Sequence, residues 1–137
     1  MKYKTILVSF ANKEHDIPVL IEALDVADVY GATVVVLHLN SNHAGYPSRV
    51  MRSFEHKYSE EEIKQLVDEN QKGSAPVEIR VVQSDNLIET VVEESKAVDL
   101  LVLGHQHMGF FESLLSDSVD EKIVDKIDCD ALVVKRN

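Results

Sequence analysis

Five short apolar runs punctuate the chain, and the stretches between them change to helical spacing. The runs are "TILVSF" (5–10), "TVVVLHL" (33–39), "VEIRVV" (77–82), "DLLVLG" (99–104) and "ALVV" (131–134). Their length suits strands, and their β-branched content favours a pleated surface. Only "VEIRVV" alternates; the continuous apolarity of the others is what strands buried on both faces require. Strands of this kind, taken alternately with helices, predict a doubly wound α/β fold with a five-stranded parallel sheet covered on both faces.

The intervening segments carry helix signals. After the first run, Ile17, Leu20, Ile21, Leu24 and Ala27 keep helical spacing. Asp16 is expected to cap that helix, Pro18 to lie in its first turn and Gly31 to follow its end. Ser59 and Glu62 form a capping-box pattern ahead of Ile63, Leu66 and Val67, with the helix closing near Gly73. Asn86 and Glu89 repeat that pattern before Ile88, Val91 and Val92. A last helix is expected from near Ser118 through Val119, Ile123 and Ile127. Residues 40–57 have weak periodicity and read as a long connection rather than a lid. The whole, 1–137, reads as one domain without repeats or linkers.

Charge narrows the function classes. With 24 acidic and 14 basic residues the net charge is −10, which repels nucleic acid and anionic membrane surfaces. Cys129 is the sole cysteine, so no intramolecular disulfide can form, and it reads as a small core residue in a reducing compartment. The opening apolar run is too short for a signal peptide, and no later run approaches a membrane span. A cytoplasmic location is the expectation.

In doubly wound sheets, ligands bind beyond the carboxyl ends of the strands where the winding reverses. That rule selects Ser9–Asn12 after the first strand and the stretch opening at Gly104 after the fourth, "GHQHMGFFESLLSDSVDEKIV". His105 and His107, with His38, suggest a zinc site, but further ligands at definite spacing are missing and no metal is expected. Ser113, Ser116 and Ser118 lie near histidines, yet no nucleophile-elbow pattern or paired carboxylates accompany them, so helix capping by Ser116 or Ser118 is the preferred reading. No Walker-type lysine follows a glycine-rich loop. Phe110, Phe111, Leu114 and Leu115 supply either core or a contact patch.

The strand–helix order, the glycine ending the fourth strand and the terminal "DSVDEKIVDKIDCDALVV" together resemble the universal stress protein family. The resemblance implies an adenine nucleotide alpha hydrolase-like fold. It also implies, in nucleotide-binding members, the motif G-x2-G-x9-G-[ST] after the fourth strand and an aspartate after the first. Here Gly104 and Ser118 keep the first and last motif positions at the right spacing, while His107 and Asp117 replace the other two glycines and Ala11 stands at the aspartate position. Gly109 lies within the same loop.

Those departures matter physically. His107 adds bulk where phosphate oxygens would approach backbone N–H groups, and a carboxylate at Asp117 would take an anion's place before a helix. Tight ATP binding is therefore not expected, and no cofactor is assigned. The family resemblance further implies a homodimer through the last strand, Ala131, Leu132, Val133 and Val134, with Lys135 and Arg136 limiting further pairing. Two classes remain. The preferred one is a non-catalytic stress-response regulator acting through dimerisation and an unknown protein partner; the alternative is a switch binding ATP with Mg, with slow hydrolysis or autophosphorylation.

Overall fold

The computed structural model describes residues 2–40, 57–105 and 119–137. In chain order the elements are β1 (Thr5–Ser9), α1 (Lys13–Tyr30), β2 (Thr33–Asn40), α2 (Glu60–Asn70), β3 (Val77–Gln83), α3 (Leu87–Ser95), β4 (Leu100–Gly104), α4 (Val119–Val124) and β5 (Asp130–Val134). The strands form one parallel sheet in the order β3-β2-β1-β4-β5. β1 is thus central, with β2 beside it through α1 and β4 on its other flank. β3 and β4 are consecutive in sequence but lie on opposite sides of β1, so the connection through α3 crosses the sheet instead of joining neighbours.

Strand alternation divides the core into two layers. Ile6, Val8 and Phe10, with Val34, Val36 and Val102, meet α1 and α2 on one face. Leu7, Leu37, Leu101 and Leu103 meet Val91 of α3 and Val119 and Ile123 of α4 on the other. Full burial of each large apolar side chain contributes about 1.5–3 kcal/mol, and the middles of the central strands, Ile6–Val8 and Val34–Leu37, are accordingly apolar on both faces. Ile127 lies beyond the end of α4 yet still packs on the second layer, as does Cys129. Burial pushes the Cys129 thiol up, and the neighbouring Asp130, Asp128 and Asp99 add to the shift.

The helix starts refine the sequence expectations. Asn12, not Asp16, caps α1: its side chain accepts from the His15 N–H at 3.0 Å, and the cap lies four residues ahead of the expected one. Pro18 consequently sits in the second turn, where it supplies no N–H to the Glu14 carbonyl. The buried stripe runs Asp16, Val19, Leu20, Ala23, Leu24 and Ala27, leaving Ile17 and Ile21 at its margins. Gly31 ends α1 at φ 66°, a left-handed conformation open to glycine at little cost.

Ser59 and Glu62 make the reciprocal capping box ahead of α2, which ends at Asn70 rather than near Gly73. At α3, Asn86 accepts from the Glu89 N–H at 3.0 Å, but the Asn86 N–H goes to Ser84 Oγ at 3.1 Å rather than to Glu89. The connection at 41–56 lies outside the described residues.

Candidate functional site

The reversal of winding falls between β1 and β4, so the crevice selected by topology lies at their carboxyl ends. Ala11 is in the turn leaving β1, and Gly104 ends β4. His107, Gly109, Asp117 and Ser118 lie outside the described residues, as do Ser113, Ser116 and the apolar Phe110–Leu115 patch.

The turn after β1 is closed by side chains of the protein itself. Asp16 Oδ2 accepts from the Ala11 N–H at 2.7 Å and the Asn12 N–H at 3.2 Å. The Lys13 N–H donates to the Tyr58 hydroxyl at 3.0 Å, and the Asp16 N–H bonds the Asn12 carbonyl as the helix begins. The Lys13, His15 and Asp16 N–H groups, which would otherwise greet an anion at the start of α1, are therefore engaged internally. The expected role of Asp16 as cap is replaced by this back-reaching one, which is available because the side chain lies one helical turn beyond the capping position.

A second link comes from the far end of the sequence. Arg136 Nε donates to Asp16 Oδ1 at 2.5 Å, with the two side chains only 10% and 4% exposed. Asn137 continues the stitch: its N–H donates to the His15 carbonyl at 3.1 Å, and its carbonyl accepts from His15 Nδ1 at 2.7 Å. The Arg136 stem crosses Gly104 so closely that a Cβ there would stand 2.5 Å from Arg136 Cγ and 2.7 Å from Cδ. Gly104 thus has an internal reason to lack a side chain. It admits Arg136.

Two histidines flank this crevice. His38 at the end of β2 is 1% exposed; its Nδ1 donates to the Phe10 carbonyl at 2.9 Å, and its Nε2 accepts from the Tyr58 N–H at 3.2 Å. A carbonyl can only accept, so the ring is the neutral Nδ1–H tautomer. That arrangement ties β1, β2 and the entrance to α2 together, and burial pushes the Tyr58 hydroxyl up. His105, after β4, pairs through Nδ1 with the buried Asp120 of α4 at 3.1 Å, while its backbone N–H bonds the Val134 carbonyl at 2.8 Å. His38 and His105 thus serve different contacts, and no cluster of three or more metal-ligating side chains occurs among the described residues.

Comparison with known proteins agrees with this architecture. The model of the universal stress protein family matches residues 2–135. The chain belongs to that family. Universal stress protein A of Yersinia pestis is 28% identical over 141 residues, covering 98% of this chain and 93% of that protein. UspA of Lactobacillus plantarum superposes with a TM-score of 0.73 at 18% identity, covering 98% of this chain and 99% of that one. A universal stress protein crystallised in complex with cAMP gives 0.71 at 19% identity, covering 98% of each chain. These last two likenesses concern the shared α/β fold.

Sequence reasoning brought Ala11 and Gly104 to the right end of the sheet and named His38 only as a possible zinc ligand, but missed Asp16, Tyr58, Asp120 and Arg136 as its furnishings. An acid one turn inside a helix start was a readable signal for Asp16. Nothing in the sequence linked it to Arg136. The four residues Ala131, Leu132, Val133 and Val134 lie in β5, an edge strand on which Ala131 and Val133 are exposed. Among the described residues no helix is long and apolar enough to cross a membrane.

Proposed function

We propose that this universal stress protein is a non-catalytic stress-response regulator that acts as a homodimer through β5 and holds no adenine nucleotide tightly. The observation that carries this reading is the closed turn after β1: Asp16 engages the Ala11 and Asn12 N–H groups and is itself engaged by Arg136. A ligand entering there has to displace a buried ion pair and two amide bonds before gaining any contact. The substitutions at Ala11, His107 and Asp117 point the same way. The homodimer reading is supported by the open edge of β5, whose exposed Ala131 and Val133 sit beside unpaired backbone groups. Partner contacts then carry the signal.

Calorimetric titration with ATP and magnesium tests the nucleotide part. The expected trace shows no micromolar binding; clear micromolar binding by the wild-type protein overturns the reading. The alternative, a nucleotide-binding switch using ATP with Mg and slow hydrolysis or autophosphorylation, draws its support from structural neighbours solved with cAMP and with dAMP. Nucleotide co-purifying with the protein would favour that alternative.

A further inference from the structure

Residues 135–137 leave β5 and pass over the carboxyl ends of β4 and β1, as the contacts of Arg136 with Gly104 and Asp16 and of Asn137 with His15 require. This is a demanding place for a guanidinium. Its planar fork of five N–H donors matches two oxygens of a single oxyanion. Asp16 cannot offer both of its oxygens, because Oδ2 already accepts from the Ala11 and Asn12 N–H groups. Among the described residues Arg136 therefore donates one bond, through Nε, although its side chain is only 10% exposed. Its Nη2 is buried and donates to no acceptor among the described residues. A buried charged donor without a partner is an unfavourable arrangement, and an oxyanion is a group whose chemistry would relieve it.

We propose that Arg136 belongs to a latched oxyanion site, in which Asp16 holds the guanidinium until a phosphate or carboxylate group of a small ligand takes it over. Two oxygens of one such group would satisfy both prongs of the fork, which the shared Asp16 carboxylate does not. The neighbouring Gly104 leaves the guanidinium stem in contact with β4, so the site spans the two strands at the reversal of winding. Asp16 sets the threshold: while it keeps Arg136, its own negative charge opposes an incoming anion. The inference deepens the reading above by naming ligand chemistry for the same crevice. It rests on that reading only in assigning no adenine recognition.

The test follows the Arg136 Nε–H resonance and the Ala11 and Asn12 amide resonances by NMR during titration with inorganic phosphate, with succinate as a parallel arm. Phosphate at millimolar concentration is expected to shift all three together in the wild-type protein. Asp16→Asn, which removes the competing charge, is expected to tighten binding by roughly tenfold or more, in line with the removal of one charge-assisted bond. Arg136→Lys keeps the charge but lacks the fork, and is expected to weaken phosphate binding by a similar factor. Should Asp16→Asn fail to fold, the comparison of wild type with Arg136→Lys still decides the matter. Equal affinity in wild type and Arg136→Lys, no gain in a folded Asp16→Asn, or no shift of Arg136 Nε–H in the wild-type protein overturns the proposal. The succinate arm separates carboxylate ligands from phosphates: equal shifts assign a general oxyanion site, and phosphate-only shifts assign a phosphate site. Micromolar ATP binding by the wild-type protein would overturn the functional reading above without touching the phosphate result.

Discussion

Both ends of β1 are gripped by an aspartate that accepts two successive backbone N–H groups, and the two grips differ in their surroundings. At the amino end, Asp99 Oδ2 takes the Lys4 N–H at 2.9 Å and the Thr5 N–H at 3.0 Å in an exposed position. At the carboxyl end, Asp16 Oδ2 takes the Ala11 N–H at 2.7 Å and the Asn12 N–H at 3.2 Å in a buried one. Water screens the charge of Asp99, so the amide bonds suffice. Asp16 has lost that screening, and the fold brings Arg136 from 120 residues away to compensate it. The same local device is therefore structural at one end of β1 and electrostatically committed at the other, which is the end where doubly wound folds place their ligands.

The sharpest way to break the comparison is Arg136→Ala. Removing one partner of a buried pair leaves the other charge uncompensated, at a cost of about 3 kcal/mol or somewhat more. The two N–H donors remaining to Asp16 keep the expectation at the lower end of the range. Urea denaturation should show a lower midpoint with an unchanged slope. A variant as stable as wild type would mean that the amide bonds alone satisfy Asp16, and the contrast with Asp99 would vanish.

How much of this was legible beforehand depended on the range of the interaction. Binary patterning placed all five strands, because a buried strand writes its environment into consecutive residues; "TILVSF" and "TVVVLHL" are β1 and β2 almost to the residue. The capping box at Ser59 and Glu62 was equally readable, since its partners lie three residues apart. The start of α1 was misplaced because Asn12 and Asp16 are both good capping residues, and only the course of the backbone decides between them. Pro18 reinforced the error, since proline favours a first turn. The pairing of Asp16 with Arg136 and the anchoring of His38 by Phe10 and Tyr58 were beyond reach, as they follow from which chain segments the sheet order makes neighbours. At Gly104, the glycine itself was noticed for a ligand's sake, whereas the structure fills the space it leaves with Arg136.

Gly104→Ala sharpens the comparison from the side of packing. The added Cβ would lie 2.5 Å and 2.7 Å from Arg136 Cγ and Cδ and 3.1 Å from Val19 Cγ2. Relief requires the Arg136 stem to shift, which strains its bond to Asp16, so a loss of about 1–3 kcal/mol is expected from overpacking. In the Arg136→Ala background most of that loss should disappear, and a double-mutant cycle measures the coupling. Additive costs would show that Gly104 is constrained by Val19 or by the backbone, and that the stem contact is incidental to the pair.

The smallest effect is expected at the exposed end, where Asp99→Asn keeps the shape of the side chain and removes its charge. The Lys4 and Thr5 N–H groups hold the Asp99 carboxyl below its ordinary value of 3.8. Around and below that pH the unfolded chain binds more protons at this residue than the folded one, so stability rises with pH there. The contribution of Asp99 is thus complete above 3.8 and is lost as pH falls through the lowered folded value. Asp130, lowered by the Tyr3 hydroxyl and by Lys2, titrates in the same direction, so the wild-type slope contains both groups. Subtracting the denaturation midpoints of Asp99→Asn from those of wild type at each pH isolates Asp99. That difference should be modest at neutral pH, because solvent screens the group, and should shrink as the pH drops below 3.8. A difference that stays constant would mean that the exposed grip depends on hydrogen-bond geometry and not on charge, and burial alone would then no longer explain why only one end of β1 required an arginine.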